Sequence, residues 1–493
     1  MNNLYKYILL QVALILCATN LVAQQYSDNA TPINSIVNQA TYANINANIN
    51  SLLNAKELNK TKFGIAIYSA KLNTWIYTNN SKQLLIPASN TKLVTTFSTY
   101  ELLRNNPFIT TTIATDGAVS DGTLNGNLYI IGNGDVLLSV NDLEAIADEL
   151  HKLGIKSING NIYGDASFFD SITNRFHYSG DLDEVQATAP VTALPITQNI
   201  ANIIITSGNI AGKQVNIQSV PQSDAFAFVN NSTISKKKKT GISVTTTIDA
   251  NGKQIFRISG TIPPNRTLSY KHFIKKPALV VAATLKARLT AVGINVNGQF
   301  GESKFKKSLA PAVILYQFNR NINDIVAIAN KNSDNYVAET LFKINGAIAN
   351  AHPNTAKSAT SAEMAVLKAN SIPNPSNGFI FNDGSGLSRR NAINAEGLAT
   401  ILIKAQNKPY WNDYAATLAI AGVDGTLKKR LIGTNAENNL RGKTGTLSNV
   451  SSLAGFVTTN AGDALIFAII FNGGYVGLYK QIENSICCAI ASY

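Results

Sequence analysis

Cysteine and histidine are scarce in this chain: three cysteines and four histidines in 493 residues. Cys17 sits inside an N-terminal apolar run, and Cys487 and Cys488 are adjacent and cannot easily bridge each other. That excludes a disulfide scaffold; the C-terminal pair reads as small apolar residues packed in a helix. His151, His177, His272 and His352 are scattered without metal-ligand spacing, so no metal site is expected. They also count against a Ser-His-Asp hydrolase, although such triads assemble in space rather than in sequence. Acidic residues are in deficit, 29 against 42 basic, giving a net charge of +13. Such a balance favours anionic surroundings. For an exported protein these are wall polymers and membrane faces rather than nucleic acid. The basic run Lys236 to Lys239 reads first as a solvated loop tip and second as a wall-contact patch. Long apolar runs are missing everywhere except at the start. There Lys6 precedes an apolar stretch from Tyr7 to Ala18, followed by small and polar residues. This is the pattern of a secretory signal peptide, with cleavage expected after Ala23. Leu16 is too large for a lipoprotein signal at Cys17. With no other stretch able to span a bilayer, the mature protein is expected in the periplasm or cell envelope.

What is present is a globular composition: 45% apolar and 14% charged residues, with a length suited to two or three domains. Ile33 to Leu53 reads as a helix. Phe63 to Tyr68 and Thr74 to Tyr77 alternate apolar and polar around Lys71-Leu72-Asn73, a β-hairpin pattern. An apolar helix opens near Ser89. From 105 to 275 the texture changes to short strand-like runs, such as Thr110 to Thr115, Leu128 to Ile131 and Ile200 to Thr206. One amphipathic helix, carrying Leu143, Ile146, Leu150 and Leu153, interrupts them. This block reads as a β-rich insertion, with a division into two subdomains near 200 left open. Helical pattern returns after Pro277, and strands close the chain at Leu453 to Thr458 and Leu465 to Phe471. No internal repeat is evident. The expected division is a signal peptide at 1–23, one discontinuous domain from 24–104 and 276–493, and the insertion at 105–275.

Three short motifs carry the chemistry: Ser89-x-x-Lys92, Ser333-Asp334-Asn335 and Lys443-Thr444-Gly445. Residues three apart on a helix share a face, which puts the Lys92 amine beside the Ser89 hydroxyl. A serine needs an adjacent base to become a nucleophile, and a lysine serves if burial or a second cation keeps it neutral. Lys443 is expected to supply that second cation and to attract an anionic substrate. Ser333 can relay a proton toward a leaving amine. Asn335 can hold a substrate amide and orient Lys92, while Asp334 caps the turn. Thr444 and Thr446 offer hydroxyls to a carboxylate, and Gly445 is expected to let a ligand approach the strand backbone. Backbone N–H groups of Ser89 and Thr446 are the candidate oxyanion hole. Singly each motif is an ordinary cap, turn or strand start; it is their order and setting that are specific.

The trio is the signature of penicillin-binding proteins and class A β-lactamases. The chain resembles, over nearly its whole mature length, the D-alanyl-D-alanine carboxypeptidase/endopeptidase family of low-molecular-mass penicillin-binding proteins. The large insertion, Asp383-Gly384-Ser385-Gly386-Leu387-Ser388-Arg389 and Gly422-Val423-Asp424-Gly425-Thr426-Leu427 carry the likeness further. The resemblance implies a mixed α/β fold: a transpeptidase/β-lactamase-like domain, an antiparallel sheet flanked by helices, with the inserted β-rich region. It implies removal of the terminal D-Ala from peptidoglycan stem peptides, in some members cleavage of cross-bridges, and acylation of the same serine by β-lactams. It implies no metal and no organic cofactor. Gly132-Asn133-Gly134-Asp135-Val136 departs from the Gly-Gly-Asp-Pro expected within the insertion. A peptidoglycan-binding protein without turnover, and a β-lactamase or esterase on the same scaffold, are the rival readings.

Overall fold

The computed structural model describes residues 32–182, 184–236, 240–305, 313–349, 356–373 and 378–493. The expected signal peptide and Lys237 to Lys239 lie outside the described residues. Strand Ala464–Asn472 is the axis of the first lobe, because its residues alternate between two buried faces. Leu465, Phe467, Ile469 and Phe471 enter one core with Ile45 and Ile49 of helix Pro32–Leu52 and Ile482, Ile486 and Cys487 of helix Val476–Ala491. Ile466, Ala468 and Ile470 enter the opposite core, with Val94, Val326, Leu341 and Leu398 from the helical lobe. A period of two in side-chain direction makes this division, and an uninterrupted apolar run is what a strand covered on both faces requires.

Six strands form that sheet, in the order Ala419–Ile420, Arg441–Leu447, Val450–Thr458, Ala464–Asn472, Lys62–Ser69, Thr74–Asn79. All neighbours are antiparallel. The expected hairpin is present, with Ser69 opposite Thr74. Helix Thr91–Leu103 lies within the helical lobe, buried from Thr91 to Tyr100. Its threonine hydroxyls return to the helix backbone, Thr96 Oγ1 to Lys92 O at 2.7 Å and Thr99 Oγ1 to Thr95 O at 2.9 Å. Polar groups in a buried helix need such partners.

The insertion has its own core. A five-stranded sheet runs in the order Phe300–Glu302, Ile162–Asp165, Leu128–Ile131, Phe108–Thr115, Val313–Asn321, and two three-stranded sheets are built from strands between Ile200 and Phe273. These sheets share one apolar cluster with helices Val140–Lys152 and Pro277–Ala291. The packing of the insertion therefore extends beyond the expected boundary at 275. Helix Pro277–Ala291 buries Val281, Leu285 and Leu289 there, and Val313–Asn321 pairs with Phe108–Thr115. The first lobe's core resumes at Ile322.

An internal repeat is present where the sequence shows none. Three turns, Asn125-Gly126-Asn127, Asn159-Gly160-Asn161 and Asn297-Gly298-Gln299, stack on one another, and the strands flanking them pair in parallel. Asn159 Nδ2 donates to Asn125 Oδ1 at 2.8 Å and Asn297 Nδ2 to Asn159 Oδ1 at 2.9 Å. Only glycine fits between tiers: a Cβ on Gly160 would lie 2.2 Å from Gly126 O, and one on Gly298 2.2 Å from Gly160 O. The steps of 34 and 138 residues are so unequal that no period survives in the sequence.

Candidate active site

The nucleophile motif starts one turn earlier than its helix. Ala88–Asn90 forms a 3₁₀ turn, and the α-helix begins at Thr91. Ala88 and Ser333 hold φ of +49° and +55°, left-handed values uncommon for residues with a Cβ. Such backbone cost concentrates at functional sites. The turn faces a cleft of about 680 Å³ whose wall includes Ser333, Asn335, Arg389, Thr444 and Thr446.

Lys92 joins two of the three motifs. Its Nζ lies 3.0 Å from Ser89 Oγ, 2.8 Å from Asn335 Oδ1 and 2.6 Å from the carbonyl oxygen of Ser385. Lys443 Nζ donates to Ser333 Oγ at 2.9 Å and to its neighbour's carbonyl, Thr444 O, at 2.8 Å. Asp334 Oδ1 accepts from Val337 N at 2.9 Å, capping helix Asn335–Ala349. Thr444 Oγ1 meets Thr426 Oγ1 at 2.8 Å. Ser89 and Thr446 both line the cleft.

Both amines are fully buried. Burial lowers the pKa of Lys92 to about 8, against the pull of Asp383, Glu339 and Asp334, which favour its charge. Lys443, expected to help keep Lys92 neutral, is not among the causes of that shift; burial, the other expected route, is the cause. The repulsion instead falls on Lys443, which burial and then Lys92 hold well below the usual lysine range. Gly445 is also where the protein's own backbone comes close to the strand. A Cβ there would lie 2.3 Å from Ser452 Oγ, 2.7 Å from Pro87 O and 3.0 Å from Ser89 N. The turn that carries Ser89 packs directly against that strand.

Sequence reasoning missed the support beneath these groups. Asp383 accepts from Gly386 N at 2.9 Å, Ser388 N at 2.7 Å and Asn391 Nδ2 at 2.7 Å, which ties the loop that presents Ser385 O to Lys92. Arg175 Nη1 pairs with Asp383 at 3.0 Å and Asp181 at 2.7 Å. Arg175 belongs to the insertion, as does Gln186, whose Oε1 accepts from Asn335 Nδ2 at 2.8 Å. The Asp-Gly-Ser-Gly run was a visible signal for the loop; nothing near Arg175 or Gln186 marks them.

Comparison with known proteins gives concordant matches. The profile of the D-Ala-D-Ala carboxypeptidase 3 (S13) family matches residues 45–489. The D-alanyl-D-alanine carboxypeptidase of Actinomadura sp. (strain R39) is 26% identical over 481 residues, covering 94% of this chain and 87% of that protein. The D-alanyl-D-alanine carboxypeptidase DacB of Haemophilus influenzae is 26% identical, covering 89% and 90%. The crystal structure of penicillin binding protein 4 (dacB) from Haemophilus influenzae shares the fold with a TM-score of 0.71 at 24% identity, covering 90% of this chain and all of that one.

Proposed function

The chain belongs to the D-Ala-D-Ala carboxypeptidase 3 (S13) family, and on that premise we propose that Ser89 is the residue through which it forms an acyl-enzyme. It is a serine-type D-Ala-D-Ala carboxypeptidase, a hydrolase of peptidoglycan stem peptides. The observation that carries the residue assignment is the position of Lys92 Nζ between Ser89 Oγ and Asn335 Oδ1.

A neutral amine has two N–H bonds and one lone pair. If Asn335 Oδ1 and Ser385 O take the two N–H bonds, the lone pair is left for the Ser89 hydroxyl. Ser89 Oγ attacks the carbonyl carbon of the penultimate D-Ala while its proton passes to Lys92. Backbone N–H groups of Ser89 and Thr446 receive the oxyanion, a donor being worth about 3 kcal/mol in such sites. Because Lys443 donates to Ser333 Oγ, the Ser333 hydroxyl hydrogen is free to point at the leaving amine. The proton held by Lys92 reaches that nitrogen through Ser333, the C–N bond breaks and D-Ala departs. Water then adds to the ester by the reverse relay and frees Ser89. Thr444 and Thr446 hydroxyls bind the terminal carboxylate, whose charge favours the ammonium form of Lys443.

Among the described residues no helix is long and apolar enough to cross a membrane. The signal-like N-terminus supports residence in the cell envelope, and the basic excess supports peripheral contact with wall or membrane. Mass analysis of muropeptides incubated with wild type and Ser89→Ala tests the reading. Loss of one terminal D-Ala with wild type only is expected, and cross-bridge cleavage would appear as separated monomers. Failure of a labelled penicillin to modify Ser89 in folded protein would overturn the assignment.

A further inference from the structure

Lys92 leans on a peptide whose other side is held by a buried acid. The Ser385 carbonyl accepts from Lys92, and the Ser385 N–H donates to Glu339 Oε1 at 2.8 Å. Glu339 Oε2 accepts from Tyr178 OH at 2.7 Å and from Gly384 N at 3.4 Å. Glu339 is fully buried, and every one of these donors is neutral.

The neighbouring buried cations are paired with other carboxylates. Arg175 answers Asp383 and Asp181. Lys343, one turn further along the Glu339 helix, answers Asp170. Glu363, on helix Ala356–Ala369, is buried and pushed up to about 8, which keeps it neutral at lower pH. Asp334 lies at the helix cap. Among the described residues Glu339 makes no ion pair, and Lys92 and Lys443 contact no carboxylate. An ionised carboxylate without a cation is costly in such a place. It either binds a proton or is balanced by an ammonium held close by. Its own pKa is raised to about 7, chiefly by burial and then by Asp383, and it in turn favours the charged form of Lys92.

We propose that Glu339 is a positioning residue for the Lys92 base: it fixes the peptide on which Lys92 leans, and its charge raises the pH at which Lys92 gives up its proton. The inference rests on the assignment of Ser89 and Lys92 above. An ionised Glu339 favours a proton on Lys92 and a protonated Glu339 does not, and only the neutral amine can accept from Ser89. Two groups coupled in this way titrate as a pair, so the wild-type acid limb is broader than that of a single group.

The test is the pH dependence of the second-order rate of Ser89 acylation by a labelled penicillin, in wild type and Glu339→Gln. Glutamine keeps the shape and the acceptor for Ser385 N but holds no charge. The acid limb is expected to move to lower pH by about half a unit or more, the usual size for loss of a nearby charge, and to steepen. Tyr178→Phe takes a donor from the carboxylate and raises its proton affinity, so it moves the limb the same way by less. It carries the test if Glu339→Gln does not fold. A rate lowered by one factor at every pH with the limb unmoved, or a limb displaced upward, overturns this proposal alone. Absence of Ser89 acylation in wild type at any pH overturns it together with the assignment it rests on.

Discussion

The Gly445→Ala substitution isolates how the sheet seats the nucleophile. The added methyl carbon would sit 2.3 Å from Ser452 Oγ, 2.7 Å from Pro87 O and 3.0 Å from Ser89 N. Ser452 can rotate away, but only by giving up the 2.6 Å bond from its Oγ to Pro87 O. That loss is worth about 1 kcal/mol. The other two contacts are backbone atoms of the Ser89 turn, so the turn itself has to recede by roughly 0.5–1 Å to restore ordinary packing distances. Overpacking of this kind costs about 1–3 kcal/mol in stability, and a displacement near 1 Å at reacting atoms costs about 10²-fold in rate. Acylation by a fluorescent penicillin, followed beside urea unfolding, reads both. Gly474→Ala is the control, since a Cβ there meets nothing within 4 Å. A folded Gly445→Ala protein that acylates within about threefold of wild type would refute the argument that this strand positions Ser89, because the ~1 Å shift would then be absent.

Two further outcomes follow from the buried charges. Glu363 is fully buried, its Oε1 accepts from Asn345 Nδ2 at 3.0 Å, and burial raises its pKa from 4.5 to about 8. The native state then keeps a proton that the unfolded chain has lost, so this group's contribution to stability falls between those values by about 1.4 kcal/mol per pH unit. Glu363→Gln should match wild type near pH 4 and gain on it progressively toward pH 8 in urea unfolding; a difference constant with pH would count against this. Arg175→Met leaves Asp383 and Asp181 buried without their cation, and breaking such a pair costs about 3–5 kcal/mol. A loss below about 1 kcal/mol in the same measurement would show that the guanidinium is not what holds the Asp383 loop.

The legible parts of the chain are those governed by neighbours in sequence. Alternation along Leu465 to Phe471 marks a strand covered on both faces, and the hairpin and the capped helices follow from local pattern. Ser89, Lys92, Ser333, Asn335 and Lys443 could be named because each sits in a short motif; the fold brings Ser89, Ser333 and Asn335 to one cleft and buries the two lysines against them. The Asn-Gly turns escaped notice because their partners are 34 and 138 residues away. That helix Pro277–Ala291 packs with the insertion was not legible, because its pattern reads the same whichever core receives it.

The sequence by itself determined the family and the candidate reacting groups, because a nucleophile, a base and anion-binding hydroxyls call for those residue types at those short spacings. Tertiary structure alone decided what those groups are worth. The depressed pKa of Lys92 is a consequence of total burial, and the identity of its buried neighbours, Asp383, Glu339 and Arg175, depends on contacts that bring the insertion under the catalytic loop. Solvent exclusion and charge pairing are properties of three-dimensional surroundings, so no window along the chain contains them.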